Sequence, residues 1–270
     1  MPEVALPDVT LAYDQVGDGP DLVWICGGDM RGKDWHHYQV PAFPDFRNLT
    51  YDPRGAGSTV SKTPPPWSME LMASDCIRLI EAVCRPPVCL AGLSMGSAIT
   101  QQVALDRPDL VRCAIAMGTY GRSEGWVRYF MEADMNFRRE NGWLSPEFAA
   151  AHYLVLSYPS KALGDQEFLE RTIPLIMEMY GHRNPDDLIG QWDACNDFES
   201  LSRLPDCEVP LHVIGFSEDV QTPIRYGMAV AAAAPSGQFH LLEGLGHMSL
   251  LGHKPEPVNW LIREILQRYT

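Results

Sequence analysis

The sequence predicts an α/β fold, with a mostly parallel central sheet flanked by helices and interrupted by an inserted helical segment. Three observations support this prediction. Short apolar runs alternate with helical patterns up to about residue 117, the alternation stops between about 121 and 204, and it resumes at 209. Strands that alternate with helices form parallel sheets covered on both faces. The length of 270 residues fits one large α/β domain or two small ones.

The amino-terminal part of the chain is predicted to supply five strands and two helices. The stretch VTLAYDQVG (9–17) is predicted as an edge strand, and DLVWICGG (21–28) as a buried strand closed by glycines. A further strand begins near residue 46 and runs into a glycine-rich loop. Apolar residues on one face of the segment 68–84 indicate a helix. The next predicted elements are a strand over 88–93, a helix over 95–106 and a strand over 110–117.

The region 121–204 is predicted to be a helical cap inserted between two strands of one sheet, so that the core comprises 1–120 and 205–270. The core resumes with a strand over 209–216, a helix over 224–234, a strand over 238–244 and a helix over 255–267. Ligands bind at the carboxyl-terminal edge of open α/β sheets, and the cap is expected to cover that edge. Most large side chains of the cap are expected to fill a small core and some to line a pocket; they are Trp126, Tyr129, Phe130, Met131, Met135, Phe137, Trp143, Tyr153, Met177, Met179, Tyr180 and Trp192.

Charge and composition argue against several classes of partner. The formal net charge of −14 disfavours nucleic acid and anionic membrane surfaces, and it favours a neutral or weakly charged small-molecule substrate. No apolar run approaches the roughly 20 residues of a membrane span, and the amino terminus has no signal-peptide pattern, so a cytoplasmic protein is expected. The seven cysteines are scattered without a CxxC pair, which predicts reduced thiols and no metal site.

The segment GLSMG (92–96) joins a predicted strand to a predicted helix and places Ser94 between two glycines. In this context the G-x-S-x-G pattern is typical of a nucleophile elbow, a strained turn that exposes the serine hydroxyl. Gly92 and Gly96 leave room for the tight backbone crossing, although such glycines also suit a plain packing turn. The N–H groups that follow belong to a helix amino terminus, whose dipole favours a developing negative charge. Ser94 is therefore the candidate nucleophile.

A serine hydroxyl needs a base to take its proton and a carboxylate to orient that base, and in this fold the acid precedes the histidine in the chain. His247 follows the last predicted strand in a glycine-containing loop, and it is the preferred base. His253 stands at the predicted start of the final helix and is the competitor. His240 lies inside a predicted strand, where a core or surface role is expected.

The acid is expected after the preceding strand, in the segment SEDVQTP, where both Glu218 and Asp219 are present. The spacing from Asp219 to Pro223 leaves the carboxylate in the loop and allows the proline to open the next helix, which favours Asp219. An oxyanion needs two N–H donors. The candidates are the backbone N–H groups of Met95, directly after the serine, and of Gly28, after the second predicted strand.

In this order the motifs resemble those of the α/β-hydrolase superfamily, in its capped branch of esterases, lactonases, cofactor-free haloperoxidase-like and proline-iminopeptidase-like enzymes. The resemblance covers almost the whole chain outside the predicted cap and is carried by CGGDMRGKDW (26–35), YDPRGAGST (51–59), GLSMGSA (92–98), DVQTP (219–223) and GLGH (244–247). It implies that Asp52 and Arg54 fix the loop beside the oxyanion strand. The family usually has His-Gly at the oxyanion turn, where that histidine supports the loop, and this chain has Cys26-Gly27 instead.

Together these residues predict a serine hydrolase that uses Ser94, Asp219 and His247 to cleave an ester, lactone or thioester through an acyl-enzyme. The cap aromatics favour a bulky, largely apolar substrate. No cofactor is expected, and an apolar cap surface could serve a homodimer. The resemblance leaves open a pocket that is reused for carbon–carbon bond cleavage, cyclisation or decarboxylation. A ligand-binding protein with slow turnover is a third hypothesis.

Overall fold

The computed structural model describes residues 1–142, 144–180 and 185–270, without the side chains of 178–180 and 185. Its strands are β1 (Glu3–Ala5), β2 (Val9–Val16), β3 (Asp21–Ile25), β4 (Arg47–Tyr51), β5 (Val60–Ser61), β6 (Val88–Leu93), β7 (Val111–Met117), β8 (Leu211–Phe216) and β9 (Gly237–Leu242). Its helices are α1 (Met69–Val83), α2 (Met95–Asp106), α3 (Gly125–Asn141), α4 (Pro146–Ser157), α5 (Ser160–Leu163), α6 (Gln166–Tyr180), α7 (Pro185–Asn196), α8 (Ile224–Ala233) and α9 (Pro255–Leu266).

All these strands belong to one sheet, in the order β1-β2-β4-β3-β6-β7-β8-β9, with β5 paired to β2. The run from β4 to β9 is parallel, whereas β1, β2 and β5 join by antiparallel pairing. β3, β6 and β8 are buried along their whole length, which explains why they are continuous apolar runs in the sequence. The predicted α/β fold with a mostly parallel central sheet is therefore confirmed.

The prediction that residues 9–17 form an edge strand is wrong. β2 pairs with β1 and β5 over its first half and with β4 over its second half. β1 is three residues long and β5 is two, and such short strands carry no readable alternation of apolar and polar residues. The sheet therefore extends beyond the strand that the sequence pattern places at its edge.

Helices cover both faces of the sheet. Leu79 of α1 and Val103 of α2 are buried against one face. Leu261 and Ile265 of α9 are buried against the other, together with Phe168 of α6. Burial of each such side chain contributes roughly 1.5–3 kcal/mol to folding, so the two cores hold the carboxyl ends of the parallel strands in fixed relative positions.

The described part of the chain between β7 and β8 contains α3 to α7, which we call the helical insertion. The assignment of 121–204 as a cap domain stays a prediction. Among the large side chains singled out there, Met131 and Met135 are buried, whereas Trp126, Tyr129 and Phe137 are exposed. Trp143 and the side chains of Met179 and Tyr180 lie outside the described residues. None of the helices that the structure describes is long and apolar enough to cross a membrane.

A chain of three side chains joins β8 and β9 to the carboxyl terminus. Nδ1 of the buried His212 lies 3.0 Å from Nε2 of His240, and its Nε2 lies 2.8 Å from the hydroxyl of Tyr269. Two neutral imidazoles satisfy both links, because each link then has one proton and one acceptor. Burial, with smaller contributions from His240 and Arg268, lowers the pKa of His212 from 6.5 to about 4. Burial also lowers the pKa of His240.

We expect the protein to lose stability as the pH falls from about 7 towards 4. The unfolded chain takes up a proton at His212 near its ordinary pKa of 6.5, whereas the folded chain does so only near pH 4, so acid favours unfolding across that window. Burial lowers the pKa of His152 and His253 too, which adds in the same direction. Urea unfolding at pH 7.5 and 5.0 measures the effect. His212→Gln should reduce the difference between the two midpoints, and an unchanged difference would contradict this assignment.

Candidate active site

Ser94 occupies a sharp turn between β6 and α2. Its backbone is in the left-handed region, with φ 54° and ψ −119°. A Cβ on Gly92 would lie 2.1 Å from the carbonyl oxygen of Gly96, and a Cβ on Gly96 would lie 2.2 Å from that of Ile25. These distances are far inside van der Waals contact, so both positions require glycine. The turn holds Ser94 half-buried at the carboxyl-terminal edge of the sheet.

Asp219 and His247 form a close pair beyond β8 and β9. Nδ1 of the imidazole lies 2.6 Å from Oδ2 of the carboxylate, and both residues are buried. The carboxylate also accepts hydrogen bonds from the backbone N–H groups of Gln221 and Thr222, at 2.8 Å each, and from the Thr222 hydroxyl at 2.8 Å. These bonds fix the carboxylate in the loop before α8.

The pairing assigns the imidazole tautomer. An ionised Asp219 is an acceptor only, so Nδ1 of His247 carries the proton and Nε2 keeps a lone pair. Nε2 is buried and has no hydrogen-bond partner among the residues that the structure describes. The hydroxyl of Ser94 is therefore not bonded to it, although catalytic hydrogen bonds in proteins without substrate are often long and close only in the complex. Nε2 is chemically able to accept a proton.

A cavity of about 70 Å³ between the sheet edge and the helical insertion brings these groups together. Ser94 and His247 both line it, beside Gly27, Gly28 and Met248. A larger groove of about 870 Å³ lies between the 55–65 segment and the start of α7, but Ser94 and His247 are not among its lining residues. The smaller cavity, which holds a potential base and a potential nucleophile, is the candidate active site.

The competing titratable residues lie elsewhere. Glu218 is exposed, and His240 bonds to His212. His253 bonds through Nδ1 to the Ser249 hydroxyl at 3.0 Å, and its ring contacts aromatic side chains of the helical insertion. The structure thus brings Asp219, rather than its neighbour in the chain, to His247.

The two predicted oxyanion donors flank Ser94. Met95 is the first residue of α2, where backbone N–H groups have no partner within the helix. Gly28 lines the cavity from the turn after β3, and a Cβ on neighbouring Gly27 would lie 3.4 Å from Cβ of Ser94. The loop beside this turn is held by Asp52, which accepts from the backbone N–H groups of Gly32 at 2.8 Å and Ser58 at 2.7 Å.

The helical insertion contributes polar groups that the sequence analysis missed. Asp134 and Arg138 line the cavity as a buried ion pair, with 2.7 Å between Oδ2 and Nε. The indole N–H of Trp192 donates to Asp134 at 3.1 Å. Burial lowers the pKa of the half-buried His152, which also lines the cavity. Asp134 and Arg138 are four residues apart in a helical pattern, and this spacing predicts an ion pair on one face of the helix.

Gly118 is a further site residue that no motif in the sequence marked. It follows β7 with φ +52°, and a Cβ there would lie 3.0 Å from both Cε1 and Nδ1 of His247. The same atom would lie 3.4 Å from Oδ2 of Asp219. The absence of a side chain at this position is what allows the imidazole to lie against the backbone.

We expect Gly118→Ala to lower kcat/KM about tenfold, because displacement of reacting groups by a fraction of an ångström weakens catalysis strongly. The left-handed backbone adds a cost of about 1–2 kcal/mol to folding. Gly244→Ala is the matched control, since Gly244 has φ +69° and its added Cβ meets no described atom within 4 Å. Rates of ester hydrolysis and thermal unfolding temperatures, measured for both variants, separate the effect of backbone strain from that of the contact with His247. Equal activity losses in the two variants would refute the role of the contact.

Comparison with known proteins gives the same family from sequence and from structure. The model of the Alpha/beta hydrolase family matches residues 22–259. BpoC of Mycobacterium tuberculosis, named as a candidate non-heme bromoperoxidase, is 32% identical over 253 residues, which are 93% of this chain and 95% of that protein. Its crystal structure superposes with a TM-score of 0.90 at 30% identity, covering 96% of each chain. An enol-lactonase from Burkholderia xenovorans shares the fold, with a TM-score of 0.84 at 20% identity and coverage of 98% and 100%.

Proposed function

The chain belongs to the α/β-hydrolase family, and from this premise we propose that it is a serine hydrolase that cleaves a carboxylic ester, lactone or thioester through an acyl-enzyme. One observation carries the proposal. The Asp219–His247 pair, with 2.6 Å between carboxylate and imidazole, shares one cavity with a serine held on a strained strand-to-helix turn. That combination serves acyl transfer, since a carboxylate-oriented imidazole can take the proton of a serine hydroxyl.

In the proposed reaction, Oγ of Ser94 attacks the carbonyl carbon while Nε2 of His247 takes its proton. The negative charge that develops on the carbonyl oxygen is held by the N–H groups of Gly28 and Met95. The imidazolium then protonates the leaving alkoxide or thiolate, and an acyl-enzyme forms on Ser94. A water molecule, deprotonated by His247, releases the acid and regenerates the hydroxyl. Asp219 stabilises the imidazolium in both steps without taking the proton itself.

The cavity wall favours a substrate that combines an apolar part with a hydrogen-bonding group. Phe130, Tyr153 and Trp192 supply aromatic surface. The hydroxyl of Ser157 is buried in the same wall and makes no hydrogen bond to any residue that the structure describes. A buried hydroxyl costs free energy unless it finds a partner, so a polar substrate group beside it would be stabilised. We therefore propose a less uniformly apolar substrate than the aromatic residues alone suggest.

The size of the cavity limits what can be enclosed. A volume of about 70 Å³ is small beside the roughly 300–1,000 Å³ of typical small-molecule pockets. A short acyl group would fit within it, while a bulky alcohol or ring would extend towards solvent or require movement of the helical insertion. Short-chain p-nitrophenyl esters are accordingly the first substrates to test.

The test is covalent labelling of the folded protein with a fluorophosphonate, followed by peptide mapping. We expect one adduct on Ser94, loss of p-nitrophenyl acetate hydrolysis in step with labelling, and no turnover by Ser94→Ala. Ser123→Ala, which removes another buried serine hydroxyl, should label and turn over as the unsubstituted protein does. An adduct elsewhere, or none in folded protein, would overturn the proposal. Turnover of an ester by the unsubstituted protein would also argue against a protein that only binds its ligand.

A further inference from the structure

The turn that carries Gly28 is held in an unfavourable conformation. Asp29, the next residue, has φ 69°, a backbone region that non-glycine residues seldom adopt because it is strained. Such conformations persist only where the surroundings enforce them. The thiol of Cys26, at the start of the turn, donates a weak hydrogen bond to the carbonyl oxygen of Tyr51 at 3.5 Å, and this bond does not involve Asp29.

A side chain of the helical insertion supports this turn. Oε1 of Gln191, in α7, accepts the backbone N–H of Asp29 at 2.8 Å. Nε2 of the same amide donates to the carbonyl oxygen of Arg54 at 2.7 Å. Gln191 is completely buried, and a donor on one side with an acceptor on the other permits a single orientation of its amide. It therefore clamps the oxyanion turn to the neighbouring loop.

α7 packs closely against the turn that carries Gly28 and against the loop that contains Pro65. A Cβ on Gly28 would lie 3.3 Å from Cη2 and Cζ3 of Trp192, so the indole already lies against the backbone of the proposed donor. A Cβ on Gly190 would lie 2.6 Å from Cβ of Pro65. Glycine at 190 lets the helix approach near enough for the Gln191 amide to reach the turn.

We infer that Gln191 is a positioning residue for the oxyanion hole, so that docking of α7 completes the site; this inference rests on the proposed function. Gln191 does not touch the reacting atoms. It fixes the peptide next to Gly28. To stabilise the oxyanion fully, an N–H donor must lie within about 0.5 Å of its best position, which is about 2.7–3.1 Å from the oxyanion. Loss of the amide should therefore weaken binding of the tetrahedral intermediate and leave binding of the planar ester nearly unchanged.

The experiment compares Gln191→Leu with the unsubstituted protein in ester hydrolysis and in inhibition by an alkyl trifluoromethyl ketone. The ketone accepts Oγ of Ser94 at its carbonyl carbon, the serine proton passes to His247, and the resulting oxyanion occupies the hole. Removal of a whole oxyanion donor costs about 10²- to 10³-fold in kcat, and misplacement of one should cost about 10- to 100-fold. We expect kcat to fall by that factor, the inhibition constant of the ketone to rise by a similar factor, and KM to stay within about threefold.

Two further variants make the outcome decisive. Asn48→Leu is the control for loss of a buried amide. Asn48 lies near the start of β4 and accepts the indole N–H of Trp24. This variant should have a lower thermal stability, but the ratio of the ketone inhibition constant to KM should not change. Gln191→Met removes both hydrogen bonds of the amide, keeps an unbranched side chain and adds no buried charge. It provides the same test if the leucine variant does not fold.

A folded Gln191→Leu or Gln191→Met with unchanged ketone affinity would overturn the inference. Parallel increases in KM and in the inhibition constant would do the same, because they would indicate a general loss of binding. Failure of the unsubstituted protein to hydrolyse esters or to react at Ser94 would instead count against the proposed function itself.

Discussion

Asp219→Asn should lower kcat/KM for p-nitrophenyl acetate by about 10³- to 10⁴-fold while the protein stays folded. The asparagine oxygen can still accept the backbone N–H groups of Gln221 and Thr222, which now bond to Oδ1 of Asp219. The amide nitrogen would then face Nδ1 of His247, where it can only donate. The imidazole must respond by moving its proton to Nε2, and a protonated Nε2 cannot act as the base towards Ser94.

Glu218→Gln is the matched control, because it changes the neighbouring carboxylate in the same loop from acid to amide. That side chain is exposed, and kcat/KM should stay within about twofold, as usual for a surface substitution away from the site. Thermal unfolding of both variants shows whether the fold is intact. Retention of more than about a tenth of the activity by Asp219→Asn, or a larger loss in Glu218→Gln, would contradict the proposed role of the Asp219–His247 pair.

Much of the fold could be predicted because the core strands and helices carry strong periodic signals. The helix predicted over 68–84 is observed as Met69–Val83, with the hydroxyl of Ser68 accepting the N–H of Leu71 at its start. β6 and α2 begin and end as predicted. The two- and three-residue strands at the sheet edge could not be predicted, because their stability comes from pairing with β2 and not from any pattern of their own.

The residues of the site also fall into two groups: those that stand in local sequence motifs, and those that only the packing of the helices brings to the cavity. Ser94, Asp219 and His247 each stand in a local motif that follows a strand, and the parallel topology brings those strand ends to one edge. The bond between Gln191 and Asp29 joins residues 162 positions apart, and nothing local in the sequence encodes it. It depends on how α7 packs, as do the positions of the aromatic side chains around the cavity. Periodicity predicts that a helix exists, but packing decides which of its residues reach the substrate.

The second large effect is expected from substitution of Arg54, to which the resemblance to α/β hydrolases assigns the support of a loop. Its guanidinium is completely buried, with Nε 2.6 Å from Oδ2 of Asp75 and Nη2 2.5 Å from Oδ2 of Asp8. Nη1 donates to the hydroxyls of Ser61 and Thr63. Burial raises the pKa of Asp75 even beside this cation, so the ionised form of Asp75 is costly in that position.

Arg54→Leu should therefore destabilise the protein by about 3–5 kcal/mol. It removes the buried partner of Asp75 and leaves only the partly exposed Arg78, whose Nη2 lies 2.8 Å from Oδ1 of Asp75. For a domain of this size, that corresponds to a fall in Tm of about 6–20 °C. The loss should be smaller at pH 5 than at pH 8. Without the arginine, the pKa of Asp75 lies further above its unfolded value, so protonation stabilises the folded variant at low pH and this contribution disappears as the pH rises.

Arg203→Leu breaks a partly exposed ion pair with Asp106, in which the charged atoms are 2.7 Å apart, and it should cost less than about 1 kcal/mol. Adding Asp75→Asn to Arg54→Leu should recover part of the lost stability, because it removes the buried carboxylate that has lost its buried cation and keeps the side-chain volume. Urea unfolding of the four proteins at pH 8 measures these differences. If Arg54→Leu cost no more than Arg203→Leu, or if Asp75→Asn lowered stability further, the buried charge would not be what makes Arg54 necessary.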